Sequence, residues 1–165
     1  MKSIDELTKY FGFYKSNAEL QSVLDKILIA PANYDNQTLY IVCRKSNLEI
    51  GFTNERMIRG TDNDKPIMGG RPIFTHFNIY PSSFNLFDNF IFGISFSDKF
   101  EGIREKAGTP TRSVDENIPI IGWKKLDSYD FEQIRITFNY NPIDNSVQSI
   151  QIVQKEKKII ETSNG

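Results

Sequence analysis

Apolar positions recur along this chain with two periods, and the clearest stretch is helical. Leu20, Val23, Leu24, Ile27 and Leu28 fall at i, i+3, i+4, i+7 and i+8 behind Ser16-Asn17-Ala18-Glu19, which reads as a capping box, and Pro31 opposes continuation. A shorter helix is predicted after a first box, Ser3-Ile4-Asp5-Glu6, with Ile4, Leu7 and Phe11 inward and a stop near Gly12. A third starts at Ser97-Asp98, carries Phe100, Ile103 and Ala107 inward, and stops at Gly108 with Pro110 behind it.

The second period is two. Leu48, Ile50 and Phe52 alternate with Glu49, Gly51 and Thr53, and Ile134, Ile136 and Phe138 with Arg135, Thr137 and Asn139, as half-buried strands require. Leu39 to Cys43, Ile73 to Tyr80, Ile120 to Lys125 and Val147 to Gln154 also read as strands. In the fourth of these six, Ile73, Thr75, Phe77 and Ile79 are predicted on one face and Phe74, His76, Asn78 and Tyr80 on the other. Between them, 54–72 is read as a long loop, the aromatic run Phe84, Phe87, Phe90 and Phe92 as a buried connector, and Glu156 to Gly165 as a frayed end.

The two halves repeat an order. Phe11-Gly12-Phe13 with Ser16-Asn17 precedes Phe92-Gly93-Ile94 with Ser97-Asp98 by 81 residues, and Leu48-Glu49-Ile50-Gly51-Phe52 plays the part of Ile134-Arg135-Ile136-Thr137-Phe138. The expected fold is therefore α+β, a single domain over 1–165 built as two α-β-β-β copies, about 11–80 and 92–153. Their strands would join in one antiparallel sheet with helices packed on one face.

Composition narrows the function classes. With 20 basic residues against 21 acidic ones, a formal net charge of -1 and no long block of either sign, the chain lacks the footprint of a general nucleic-acid binder. Asp5 and Glu6 interrupt the N-terminus where a secretory signal would be apolar, no apolar run approaches a membrane span, and the single Cys43 suits a reducing cytoplasm. The expected location is cytoplasmic, with no nucleic-acid or membrane partner.

Catalytic chemistry finds little footing. One histidine, His76, and no Cys-x-x-Cys pair argue against a metal site, so neither metal nor cofactor is expected. Cys43 and His76 could form a nucleophilic pair on neighbouring strands, but Cys43 sits in an apolar run where a buried thiol is the ordinary outcome. Asp62-Asn63-Asp64 lacks the rest of a calcium loop, Gly69-Gly70 lacks the rest of a phosphate loop, and Asp127 with Asp130 reads as a solvated turn. Recognition is the better use of these segments. The candidate partner-binding residues are Asp62, Asp64 and Arg71 in the long loop, and Asp115, Glu116, Asp127, Tyr129 and Asp130 in the acidic-polar connector.

The helix ending in Ala107-Gly108-Thr109-Pro110, then Trp123-Lys124-Lys125, Ile134 to Phe138 and Val147-Gln148-Ser149-Ile150-Gln151-Ile152, resembles the tail of small bacterial immunity proteins of polymorphic toxin systems. Ala107 stands where those families usually have Leu. The resemblance covers mainly 92–153 and implies a cytoplasmic, stoichiometric inhibitor of a cognate toxin protein, without catalytic residues. Two other readings stay open: an enzyme with a pocket under loop 54–72 containing His76 or Cys43, and an adaptor joining two cellular proteins.

Overall fold

In the computed structural model, residues 4–28, 39–43, 47–60, 70–81 and 90–161 are described. Among these residues, four α-helices and seven strands follow in the order α1 (Asp5–Thr8), α2 (Ala18–Leu28), β1 (Tyr40–Cys43), β2 (Leu48–Asn54), α3 (Glu55–Arg59), β3 (Pro72–Ile79), α4 (Phe100–Ala107), β4 (Arg112–Ile118), β5 (Gly122–Asp130), β6 (Ile134–Tyr140) and β7 (Val147–Gln154). The strands form one antiparallel sheet, ordered β1-β2-β3-β7-β6-β5-β4, so the two halves of the chain meet where β3 pairs with β7. The fold is α+β, and the second half contributes four strands where three were expected.

Helices α2 and α4 form where the periodicity places them, with different caps, whereas α1 ends at Thr8 rather than near Gly12. At α2 the cap is Asn17 rather than Ser16: its side-chain oxygen accepts from the backbone N–H groups of Glu19 and Leu20, both at 3.0 Å. Ile4 precedes α1 with no side-chain cap, and Ser3, the expected cap, lies outside the described residues. Leu20, Leu24 and Ile27 of α2, Leu7 of α1 and Ile103 of α4 share one buried cluster with Ile50, Phe77, Phe138, Ile150 and Ile152 of the sheet. One sheet face is thereby covered. No helix among the described residues is long and apolar enough to cross a membrane.

Two bulges break the alternation read from the sequence. Gly51 stands opposite His76 but Phe52 opposite Phe74, so Thr75 is an extra residue in β3. Phe74 and Phe77 consequently point to the same side and are both buried, their ring centroids 6.3 Å apart, which corrects the expected separation of those two faces. Thr75 is buried as well, its hydroxyl 2.8 Å from that of Thr53. In β7 the shift from Asn139–Ser149 to Tyr140–Val147 makes Gln148 the extra residue, and Val147 and Ile150 are both buried.

Three segments differ further from expectation. The start of the long loop is a short helix, α3, capped by Asn54, whose side-chain oxygen accepts from the Arg56 N–H at 2.9 Å. Residues 61–69 of that loop lie outside the described residues, as do Phe84 and Phe87 of the aromatic connector. Of that connector's other members, Phe90 is buried, whereas Phe92 is exposed and rests on Phe131. The C-terminal stretch does not fray over 156–161: Ile160 donates its N–H to the Gly12 carbonyl at 2.9 Å, and Glu161 pairs with Arg59.

Candidate functional site

The acidic-polar connector expected between α4 and β6 is a hairpin of two long strands, β4 and β5, and this redistributes the candidate residues. The solvated-turn reading of Asp127 and Asp130 is overturned. Asp127 lies mid-strand, fully buried on the helix side, where Arg104 of α4 meets both its oxygens at 2.8 Å. Tyr129 is buried on the same side, its ring edge-on to Phe138. Alternation sends Asp130 to the opposite side, at the strand's end, where Arg135 grips it at 2.6 and 3.0 Å and the Lys155 amine lies 3.6 Å away. The Arg135 guanidinium is the main reason the Asp130 carboxyl is held below the usual range.

Arg71 stands apart from these residues, at the start of β3, stacked 3.7 Å over the Tyr14 ring and paired with Glu55. Asp62 and Asp64 lie outside the described residues. Of the eight expected contact residues, Asp127 and Tyr129 are buried, and Arg71 is remote from the hairpin. Asp115, Glu116 and Asp130 are left around the β4–β5 ribbon.

That ribbon ends in an apolar tip. The strand expected from Ile120 begins only at Gly122, and Ile120 and Ile121 form the turn, fully and three-quarters exposed respectively. Ile120 adopts a φ of 73°, a left-handed conformation that costs a β-branched residue about 1–2 kcal/mol. Beside it Trp123, more than half exposed, donates its indole N–H to Asp115 at 2.7 Å, and the Lys125 amine lies 3.3 Å from the other oxygen of Asp115. The indole hydrogen bond, followed by Lys125, lowers the Asp115 pKa. The tip thus presents three large apolar side chains with the tryptophan already oriented.

The uncovered face of the sheet carries the second feature. Across it runs a register row Arg112, Ser128, Thr137, Gln151, Asn78, Glu49 and Val42. Over β4 to β7 this face forms a groove of about 440 Å³ whose charged lining is Arg112, Lys124, Arg135, Lys155 and Lys157. All five are exposed, and Arg112, Lys124 and Lys157 make no ion pair among the described residues. Arg112, Lys124 and Arg135 lie far apart in sequence from one another and from the Lys155–Lys157 pair, whose short run reads by itself as a solvated tail, and composition missed the set for that reason. The signal that was present is parity: Lys124 shares the open face with Leu126 and Ser128, and Arg135 shares it with Thr137 and Asn139.

At the far side of the same face His76 stands over Gly51, with its ring edge-on to Tyr40 and its Nδ1 3.0 Å from the Thr75 hydroxyl. Burial, assisted by Lys157, lowers its pKa. The strands that carry Cys43 and His76 are not neighbours as expected: β2 lies between β1 and β3, and Cys43 is in register with Leu48, whereas His76 is in register with Gly51. Among the described residues no group of three or more His, Cys, Asp or Glu is placed to hold a metal ion.

No family model matches the chain, and no curated protein matches it. Among solved structures it is similar to a DUF4309 family protein, YjgB, from Bacillus subtilis, at 8% identity and a TM-score of 0.42, over 73% of this chain and 68% of that one.

Proposed function

We propose that the chain is a binding protein that neutralises a cognate bacterial toxin by stoichiometric docking, with the β4–β5 hairpin as part of its contact surface. The observation that carries the binding role is the exposed tip, Ile120, Ile121 and Trp123. Large apolar groups left in water and held in one orientation are the material of interface hot spots, because docking removes their area from water at little entropic cost. The toxin as target rests on the resemblance over 92–153, within which the hairpin lies.

The same reading takes the two halves as copies of one α-β-β-β unit. Sheet order supports it: β2 and β6, each carrying an Ile-x-Phe, flank the bulged strands β3 and β7 that pair at the centre. Strand β4 is then an addition to the second copy.

Capture of the tagged protein from lysate of its own species, followed by mass spectrometry, tests the function. A near-stoichiometric partner is expected that stops growth when produced alone, is silenced by co-production, and is lost from an I120S/I121S/W123A variant. Recovery of a housekeeping assembly alone would replace the toxin reading with an adaptor. Retention of the partner by the variant would remove the hairpin from the interface.

A further inference from the structure

Over β4 to β7 the open sheet face carries an excess of cations. Five cations line the groove, Asp130 and Glu116 are the carboxylates beside them, and Glu116 is in register with Lys124. The floor between the cations is neutral and hydrogen-bonding: Ser128 and Thr137 hydroxyls lie 2.9 Å apart, and the Asn139 amide donates to Ser149 at 3.1 Å. At one end the structure already displays carboxylate recognition, since Asp130 sits between Arg135 and Lys155 with the bidentate geometry that guanidinium favours.

We infer that this groove binds a short acidic segment of a partner polypeptide, its Asp and Glu side chains meeting Arg112, Lys124 and Lys157. The inference rests on the reading of the chain as a binding protein and adds the chemistry of what it holds. Three inter-strand gaps of about 4.8 Å spread the cations over roughly 14 Å, the length of about four extended residues. A single-stranded nucleic acid would bring the same charge sign, but no aromatic side chain lines the groove to stack a base. Carboxylates need only the cations and the polar floor.

The test is anisotropy titration of a labelled peptide of about ten alternating Asp and Glu residues with the full chain, at an ionic strength low enough that the Debye length exceeds ~10 Å. Saturable one-to-one binding is expected, weakened by added salt. In an R112E/K124E/K157E variant of unchanged melting temperature it should weaken on the order of tenfold or more. Should that variant fail to fold, R112Q/K124Q/K157Q should show a smaller loss of the same kind. Absence of peptide binding, equal binding by the folded variants, or tighter binding of an oligodeoxynucleotide of equal charge would overturn the inference. A toxin captured by the wild-type chain and retained by the groove variants would leave the binding function standing and remove the groove from it. Peptide binding without any captured toxin would do the reverse.

Discussion

Arg104 of α4 meets both carboxylate oxygens of Asp127 at 2.8 Å, and the carboxylate is completely buried while the guanidinium keeps about a third of its surface in water. The guanidinium also stacks 4.0 Å over Phe100 and donates to the Ser113 hydroxyl at 2.9 Å, which joins α4 to β4 and β5. Removing the arginine strands a charge inside, whereas removing the aspartate frees a cation that can reach solvent. Arg104→Ala is therefore expected to cost about 3–5 kcal/mol in urea unfolding. Asp127→Ala should cost less, roughly 1–3 kcal/mol. Equal losses would mean that the burial asymmetry plays no part.

Tyr140 presents the opposite case. Its hydroxyl is buried with no hydrogen-bond partner among the described residues, and burial drives its pKa far above the ordinary range. The ring itself is well used, edge-on to Phe100 at 5.2 Å. Tyr140→Phe keeps the ring and deletes the stranded hydroxyl, so stability should rise by about 1 kcal/mol, seen as a higher melting temperature. A lower melting temperature would show that the hydroxyl is satisfied.

His76 makes stability depend on pH in a defined direction. Burial first, then Lys157, holds its folded pKa below the ordinary 6.5. Between the two values the unfolded chain binds more protons than the folded one, so stability rises with pH there. Its contribution is complete above about 6.5 and is lost as pH falls through the unfolded and then the folded value. As the chain's one histidine, it gives a single imidazole titration by NMR, expected below 6.5. Replacement by Gln should flatten the stability slope between pH 7 and the folded pKa; an unchanged slope would assign it to other groups.

Ile120 sets stability against recognition. Its left-handed backbone disfavours a β-branched side chain, and that side chain is wholly in water, so it gains nothing inside the fold. Ile120→Gly should raise stability by about 1 kcal/mol, because glycine adopts this conformation without the Cβ conflict. The same change should weaken partner capture. A variant that is both stabler and fully competent would leave the strained isoleucine without a role in binding.

Helices α2 and α4 and the alternation of β2 and β6 were determined by the sequence alone, because a helix or a half-buried strand writes its period into neighbouring positions. Strand β4 escaped that reading: as an edge strand with Asp115, Glu116 and Asn117 exposed, it buries no apolar face that would mark it. Only the tertiary structure decided the bulges at Thr75 and Gln148, which depend on what lies across the sheet rather than along the chain. It alone also separated Asp127 from Asp130, one beneath a helix arginine and the other on the open face, three residues apart. The basic groove is the largest such case. Arg112, Lys124, Arg135 and the Lys155–Lys157 pair are scattered through a nearly neutral sequence, and cross-strand register, which no local window contains, brings them together.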